Sequence, residues 1–191
     1  MPLDLLMSVA LGVGLAAAVG FRVFLPLLVV SVAAYTGHLE LNGSFAWLGT
    51  APAIAMFGIA AIVEIAGFYI PGVDNLLDIL ATPAAVIAGT VIAAAVMVDL
   101  PPMVKWATAL IAGGGAAGLT QGVTALLRAK STALTGGLGN PAIASVEWAG
   151  ALLVSLLALL APVLALALIV VFCWLVVRFV RRTLQRKPVR D

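Results

Sequence analysis

Charge is what this chain has least of: Asp, Glu, Lys and Arg make up 9% of its 191 residues, against about 25% in an ordinary soluble domain. Hydrophobic residues make up 64%, and the mean hydropathy is +1.23. A soluble fold of this size cannot hide so much apolar surface, because its outside must still be covered with polar groups. Soluble classes are therefore excluded, and the chain reads as an all-α integral membrane protein. The single cysteine, Cys173, has no partner for an intrachain disulfide. The single histidine, His38, leaves no transition-metal site and no Ser-His-Asp set, and no phosphate-binding glycine loop is present. No Lys or Arg precedes the first apolar stretch, only Asp4, which argues against a cleaved secretory signal.

A bilayer core needs about 20 apolar residues per helix. Residues 3–36 exceed one crossing and must tilt, bend near Pro26, or break. Residues 47–70 make a second span. A third is expected to begin at Thr82-Pro83, an N-cap followed by proline in the first turn, which leaves residues 74–81 as a short interfacial segment. The fourth runs over 104–127. Residues 145–178 carry Pro162 near their middle and read as two spans, giving six in all, or five if the stretch is one kinked helix. Six of the ten basic residues (Arg178, Arg181, Arg182, Arg186, Lys187 and Arg190) lie in the last fourteen positions. The positive-inside rule puts this tail, residues 179–191, in the cytoplasm, and six spans then put both termini there, with Arg128 and Lys130.

Shifting the chain by 99 residues aligns Gly14, Ala17, Ala18, Leu27, Leu28, Ala34, Thr36, Gly37 and Leu39 with identical residues from Gly113 to Leu138. Pro52-Ala53-Ile54-Ala55 recurs as Pro141-Ala142-Ile143-Ala144, and Val63-Glu64 as Val146-Glu147, in the same order. A duplicated unit of three spans, residues 1–100 and 101–178, would enter the membrane in opposite senses. That is the 3+3 inverted repeat of many secondary transporters, with sites at the repeat interface.

The candidate chemistry is sparse. Arg22 and Glu64 sit at membrane depth, where a charge costs a few kcal/mol unless paired, so each is expected to be the other's partner, with Asp74 the second choice for Arg22. Gln121 falls opposite Arg22 in the repeat register, and Glu147 echoes Glu64. Together these four define either a polar path or a buried ion pair. Asp74 and Asp78, spaced i, i+4, would share a helix face and can hold a divalent cation, or else serve as a cap and a water-facing acid. Gly14, Gly20, Gly114, Gly118 and Gly122 are expected at close helix crossings, chiefly between the first and fourth spans. The bilayer, anionic headgroups at the basic tail and a second copy of the chain are the partners this pattern allows. Nucleic acid is not among them, since the tail has no interleaved aromatics.

Gly20-Phe21-Arg22 with Pro26, Glu64, Pro71-Gly72-Val73-Asp74 with Asp78, then Pro83 and Gly89, resembles the bacterial membrane family called domain of unknown function 4126. The resemblance runs from the first span to about Pro162. It implies a multi-span inner-membrane protein and carries over no activity. The leading expectation is a small channel or transporter whose polar path lies at the repeat interface. The alternatives are a divalent-cation-dependent lipid-linked phosphotransfer enzyme using Asp74 and Asp78, and a non-catalytic membrane scaffold.

Overall fold

The computed structural model describes residues 2–70 and 73–185, except the side chains of Pro2, 74–76, Val180 and 183–185. Helices α1 (Pro2–Val19) and α2 (Phe24–Tyr35) divide the first apolar stretch. A 3₁₀ turn (Gly43–Gly49) leads into α3 (Ala51–Phe68), and α4 (Val73–Val96) follows. Helix α5 (Pro102–Thr108) continues through a π-helical turn (Ala109–Gly114) into α6 (Gly115–Thr135). Helices α7 (Asn140–Leu160) and α8 (Pro162–Gln185) complete the bundle, and no strand occurs among the described residues. Five helical stretches are long and apolar enough to cross a membrane: Ala51–Phe68, Leu77–Val96, Pro102–Thr135, Asn140–Leu160 and Pro162–Phe179. Leu3–Val19 and Phe24–Tyr35 are shorter apolar helices.

Proline placement explains several boundaries. Pro26 lies in the first turn of α2, where its missing N–H removes no intrahelical bond, so the chain breaks at residues 20–23 rather than bending at Pro26. Ala161, disfavoured from helical geometry by the proline after it, has φ −145° and ψ 69° and separates α7 from α8. The stretch 145–178 is therefore two helices. Pro83 is an exception, and it corrects the expected start of the third span. Helix α4 runs unbroken from Val73 through Pro83 to Val96, so 74–81 is its opening, not a separate segment. Thr82 is no N-cap, since its hydroxyl donates to the Asp78 carbonyl at 3.0 Å, one turn back within the helix.

Close contacts give the helix directions. Helix α1 runs against α4 in the antiparallel sense, with Gly12 beside Ala93 and Met97, and Ala16 beside Gly89. Helix α2 runs against α3: Ala34 lies beside Gly49, Leu28 beside Gly58, and Val23 beside Glu64. The Asn42 amide donates to the Ala95 carbonyl at 2.8 Å, placing the end of α2 at the C-terminal end of α4. The start of α1 and the end of α2 thus share one end of the bundle, and α1–α2 is a helical hairpin. Its tip stops halfway: Gly20 abuts Ala117, Thr120 and Gln121, midway along Pro102–Thr135, and Phe21 abuts Gly150, midway along α7.

Beyond the hairpin, five candidate spans carry the chain to the other end. Helix α8 starts near Gly14, by way of Ala165, and its Phe179 shares a cleft with Lys130 near the end of α6. Pro2 and Gln185 therefore lie at opposite ends of the bundle. The same-side placement of the termini drawn from six full spans requires residues 3–36 to make one complete crossing, whereas here they form two short helices.

Small residues permit this packing. A methyl group added at Gly14 would meet Ala158 Cβ at 2.8 Å, at Gly114 Thr90 Oγ1 at 2.6 Å, and at Gly118 Val86 Cγ2 at 2.9 Å. One at Gly20 would run into the Ala117 carbonyl and Thr120. Gly122 departs from expectation, with nothing within 4 Å of its added methyl. Besides the expected α1–α6 crossing, the close contacts include α4 packed on the π turn and α6, where Gly89 and Gly113 bring the backbones together.

Candidate functional site

Buried charge gathers below the hairpin tip. Arg22, in the break itself, is 2% exposed. Its Nη2 lies 2.9 Å from Glu147 Oε2 and donates to the Ala144 carbonyl at 3.3 Å. Glu147 is brought there by α7, whose inward face repeats as Asn140, Ala144, Glu147, Ala151, Ser155 and Ala158. That spacing follows the helical period with only small or polar residues, so α7 sits close to α1 and still delivers a carboxylate.

Arg128, 1% exposed, pairs with the same Glu147 oxygen and, at 2.8 Å, with Asp78 Oδ1. The Phe68 ring carries both guanidiniums, Arg22 at 3.8 Å and Arg128 at 4.3 Å from its centroid. The hydroxyls of Tyr69 and Ser145, next in sequence to Phe68 and Ala144, are 2.7 Å apart. The hairpin break, α4, α6 and α7 thus meet around one carboxylate, Glu147, that serves two cations.

Glu64 does something different from what its charge suggests. Its Oε1 accepts from the Val23 amide at 2.8 Å and its Oε2 from the Phe24 amide at 3.1 Å. It therefore caps the N-terminus of α2 from another helix, supplying acceptors for amides that the break would leave bare in an apolar medium. The expected Arg22–Glu64 ion pair is corrected accordingly: the partner of Arg22 is Glu147. Late in α3, Glu64 faces the break at the height of Val23 and its carboxylate is taken by backbone, while α7 reaches the guanidinium from its other side.

The cluster is incompletely bonded. Arg22 Nε and Nη1, Arg128 Nε, Gln121 Nε2 and Glu147 Oε1 are buried without a hydrogen-bond partner. Gln121 lies on the α6 face against the tip, next to Gly20. As for the expected cation site, Asp78 faces Arg128, the Asp74 side chain lies outside the described residues, and no group of three or more His, Cys, Asp or Glu able to hold a metal occurs among the described residues.

Sequence reasoning misses Arg128 and Phe68 as members of this site, since Arg128 resembles a basic residue closing a span. A signal exists nonetheless. Thr120, Gln121, Thr124 and Arg128 recur at helical spacing and all are buried, so the polar stripe of α6 points inward.

Fold and site together define a multi-pass all-helical membrane protein with a helical hairpin ending on a buried charge cluster. The chain belongs to the family described as domain of unknown function (DUF4126), whose model matches residues 9–182. No curated protein and no solved structure matches it.

Proposed function

We propose that this protein is a small channel or transporter whose polar path passes through the Arg22 cluster. One observation carries the reading: a hairpin that stops midway through the bundle and ends on ionised groups whose N–H and carboxylate atoms are not all bonded to protein. Irregular backbone at membrane depth persists where protein or a water-filled path surrounds it, and intramembrane charges of this kind mark ion and substrate pathways. Arg22, Glu147 and Gln121 line the path in this reading. Glu64 holds the hairpin tip open by capping it.

An inverted repeat fits the arrangement. Helices α3 and α7 run in opposite directions, as do α4 and α8, and both α3 and α7 have proline in the first turn. Gly20 crosses α6 within three residues of Leu119, its equivalent in the 99-residue register, as a twofold axis through that crossing would produce. The departure is α1, which enters from the same end as α5. The end bearing Lys130, Arg178, Arg181 and Arg182 is assigned to the cytoplasm of a bacterial cell by the positive-inside rule, with α8 basic residues against anionic headgroups. The N-terminus then lies outside.

The test is flux in proteoliposomes across a panel of inorganic ions, protons, organic anions and organic cations. Wild-type protein should move at least one, and Arg22→Met with Glu147→Leu should abolish that flux in a protein that still melts cooperatively. A silent wild type, or a double variant with unchanged flux, overturns the reading.

A further inference from the structure

On the outside of the bundle, α2, α3 and α4 enclose a cleft of about 450 Å³. Its walls are apolar, Phe24 and Leu77 among them, and its rim residues Ile59, Val63 and Leu80 are 65%, 64% and 59% exposed, so in a bilayer it opens sideways to the acyl chains. At its floor is Glu64, the one ionisable group lining it among the described residues, beside Phe68. Neither Arg22 nor Arg128 lines the cleft, and Phe68, whose ring both guanidiniums contact, does.

Charge complementarity indicates the occupant. The described side chains of the cluster comprise two guanidiniums, Arg22 and Arg128, and three carboxylates, Glu64, Asp78 and Glu147. Glu147 and Asp78 are the acids that face the arginines. Glu64 is held by the two backbone amides of α2, a partial charge of about one half at a helix N-terminus, with Arg22 nearby but ion-paired to Glu147 instead. Of these three carboxylates, the one held by backbone rather than in an ion pair is the one that lines the cleft. A hydrated inorganic cation cannot cross these apolar walls, and a phospholipid headgroup does not lie at the depth of the hairpin tip. A molecule that reaches Glu64 from the side must carry its positive charge inside an apolar body.

We propose that this cleft is a binding site for lipophilic organic cations, such as bulky quaternary ammonium or phosphonium ions or protonated hydrophobic amines, drawn from the bilayer and paired with Glu64. The site deepens the transport reading by naming a substrate class, and it rests on that reading only for movement across the membrane.

Equilibrium dialysis in neutral detergent with tetraphenylphosphonium, against tetraphenylborate of the same shape and opposite charge, tests it. Wild-type protein should bind the phosphonium saturably and the borate not at all. Glu64→Gln, which removes the charge and keeps an acceptor for one of the two α2 amides, should weaken phosphonium binding about tenfold or more. Ala81→Phe, which fills the cleft and leaves the carboxylate in place, should do the same. Equal binding of the two ions, no saturable phosphonium binding, or an affinity unchanged in folded Glu64→Gln would overturn the proposal. The comparison of the two ions needs only wild-type protein, so a variant that fails to fold leaves the test standing. Flux of other solutes without phosphonium binding would sink this site and spare the transport reading, whereas Glu64-dependent binding without any flux would do the reverse.

Discussion

Residues 2–35 and 102–135 begin and end alike but travel differently. Each opens at a proline, passes through a Gly- and Ala-rich stretch and closes at a Thr-Gly pair, with Gly37 at φ 77° and Gly136 at φ 64°, the left-handed region in which glycine ends a helix at no steric cost. The first doubles back at residues 20–23. The second runs through as a single 34-residue helical stretch that includes a π turn at Ala109–Gly114. The difference is that the freed amides of Val23 and Phe24 meet the Glu64 carboxylate. The register-equivalent residues Gly122 and Val123 lie inside a continuous helix and keep their backbone bonds. A remote acid thus completes a break that the local sequence only permits.

The largest way to disturb this arrangement is to remove the shared carboxylate. Glu147→Ala leaves Arg22 without its acid and Arg128 with Asp78 alone, and should cost about 3–5 kcal/mol. Thermal melting in detergent should show a larger drop than Arg22→Ala gives. An equal drop would mean that the Arg128 pairing contributes nothing. Next, Glu64→Ala should cost about 1–3 kcal/mol, the penalty of leaving buried amides unpaired. Hydrogen exchange should accelerate at Val23 and Phe24 and stay slow at 119–123, and uniform acceleration of both regions would contradict the capping role.

Glycine substitutions sharpen the comparison further. Gly20→Ala, pressed against the Ala117 carbonyl and Thr120, should destabilise by about 1–3 kcal/mol. Gly122→Ala, in open space within α6, should stabilise by about 0.5–1 kcal/mol. Melting temperatures moving the same way would break the contrast. The gentlest test changes no stability. In a Cys173→Ser background, Leu3→Cys and Arg182→Cys should react with an impermeant maleimide from opposite sides of the membrane. Labelling from one side would restore a full crossing to residues 3–36.

Much of the fold is legible in the amino-acid sequence. Proline and glycine positions locate the ends of α3 and α7, and the depletion of charge requires a membrane, because these follow from local backbone chemistry and from the cost of polar groups in lipid. The site is legible in part. Arg22, Glu64, Gln121 and Glu147 stand out as charges and amides in apolar runs, but their pairing does not, since which carboxylate reaches a guanidinium depends on helix directions and heights. Arg128 escapes notice because a basic residue near a span end is ordinarily a snorkelling one.

The sequence by itself determined that this chain lives in a bilayer, that it is helical, and that a handful of charged groups at membrane depth must find partners. Those conclusions need only composition and the energetics of desolvation. Tertiary structure alone decided that the first apolar stretch turns back midway, that Glu147 rather than Glu64 pairs with Arg22, and that Pro83 lies inside a continuous helix. Each of those outcomes depends on a group far along the chain arriving at a particular height, as when Glu64 meets two amides about forty residues away, and no local pattern encodes that meeting.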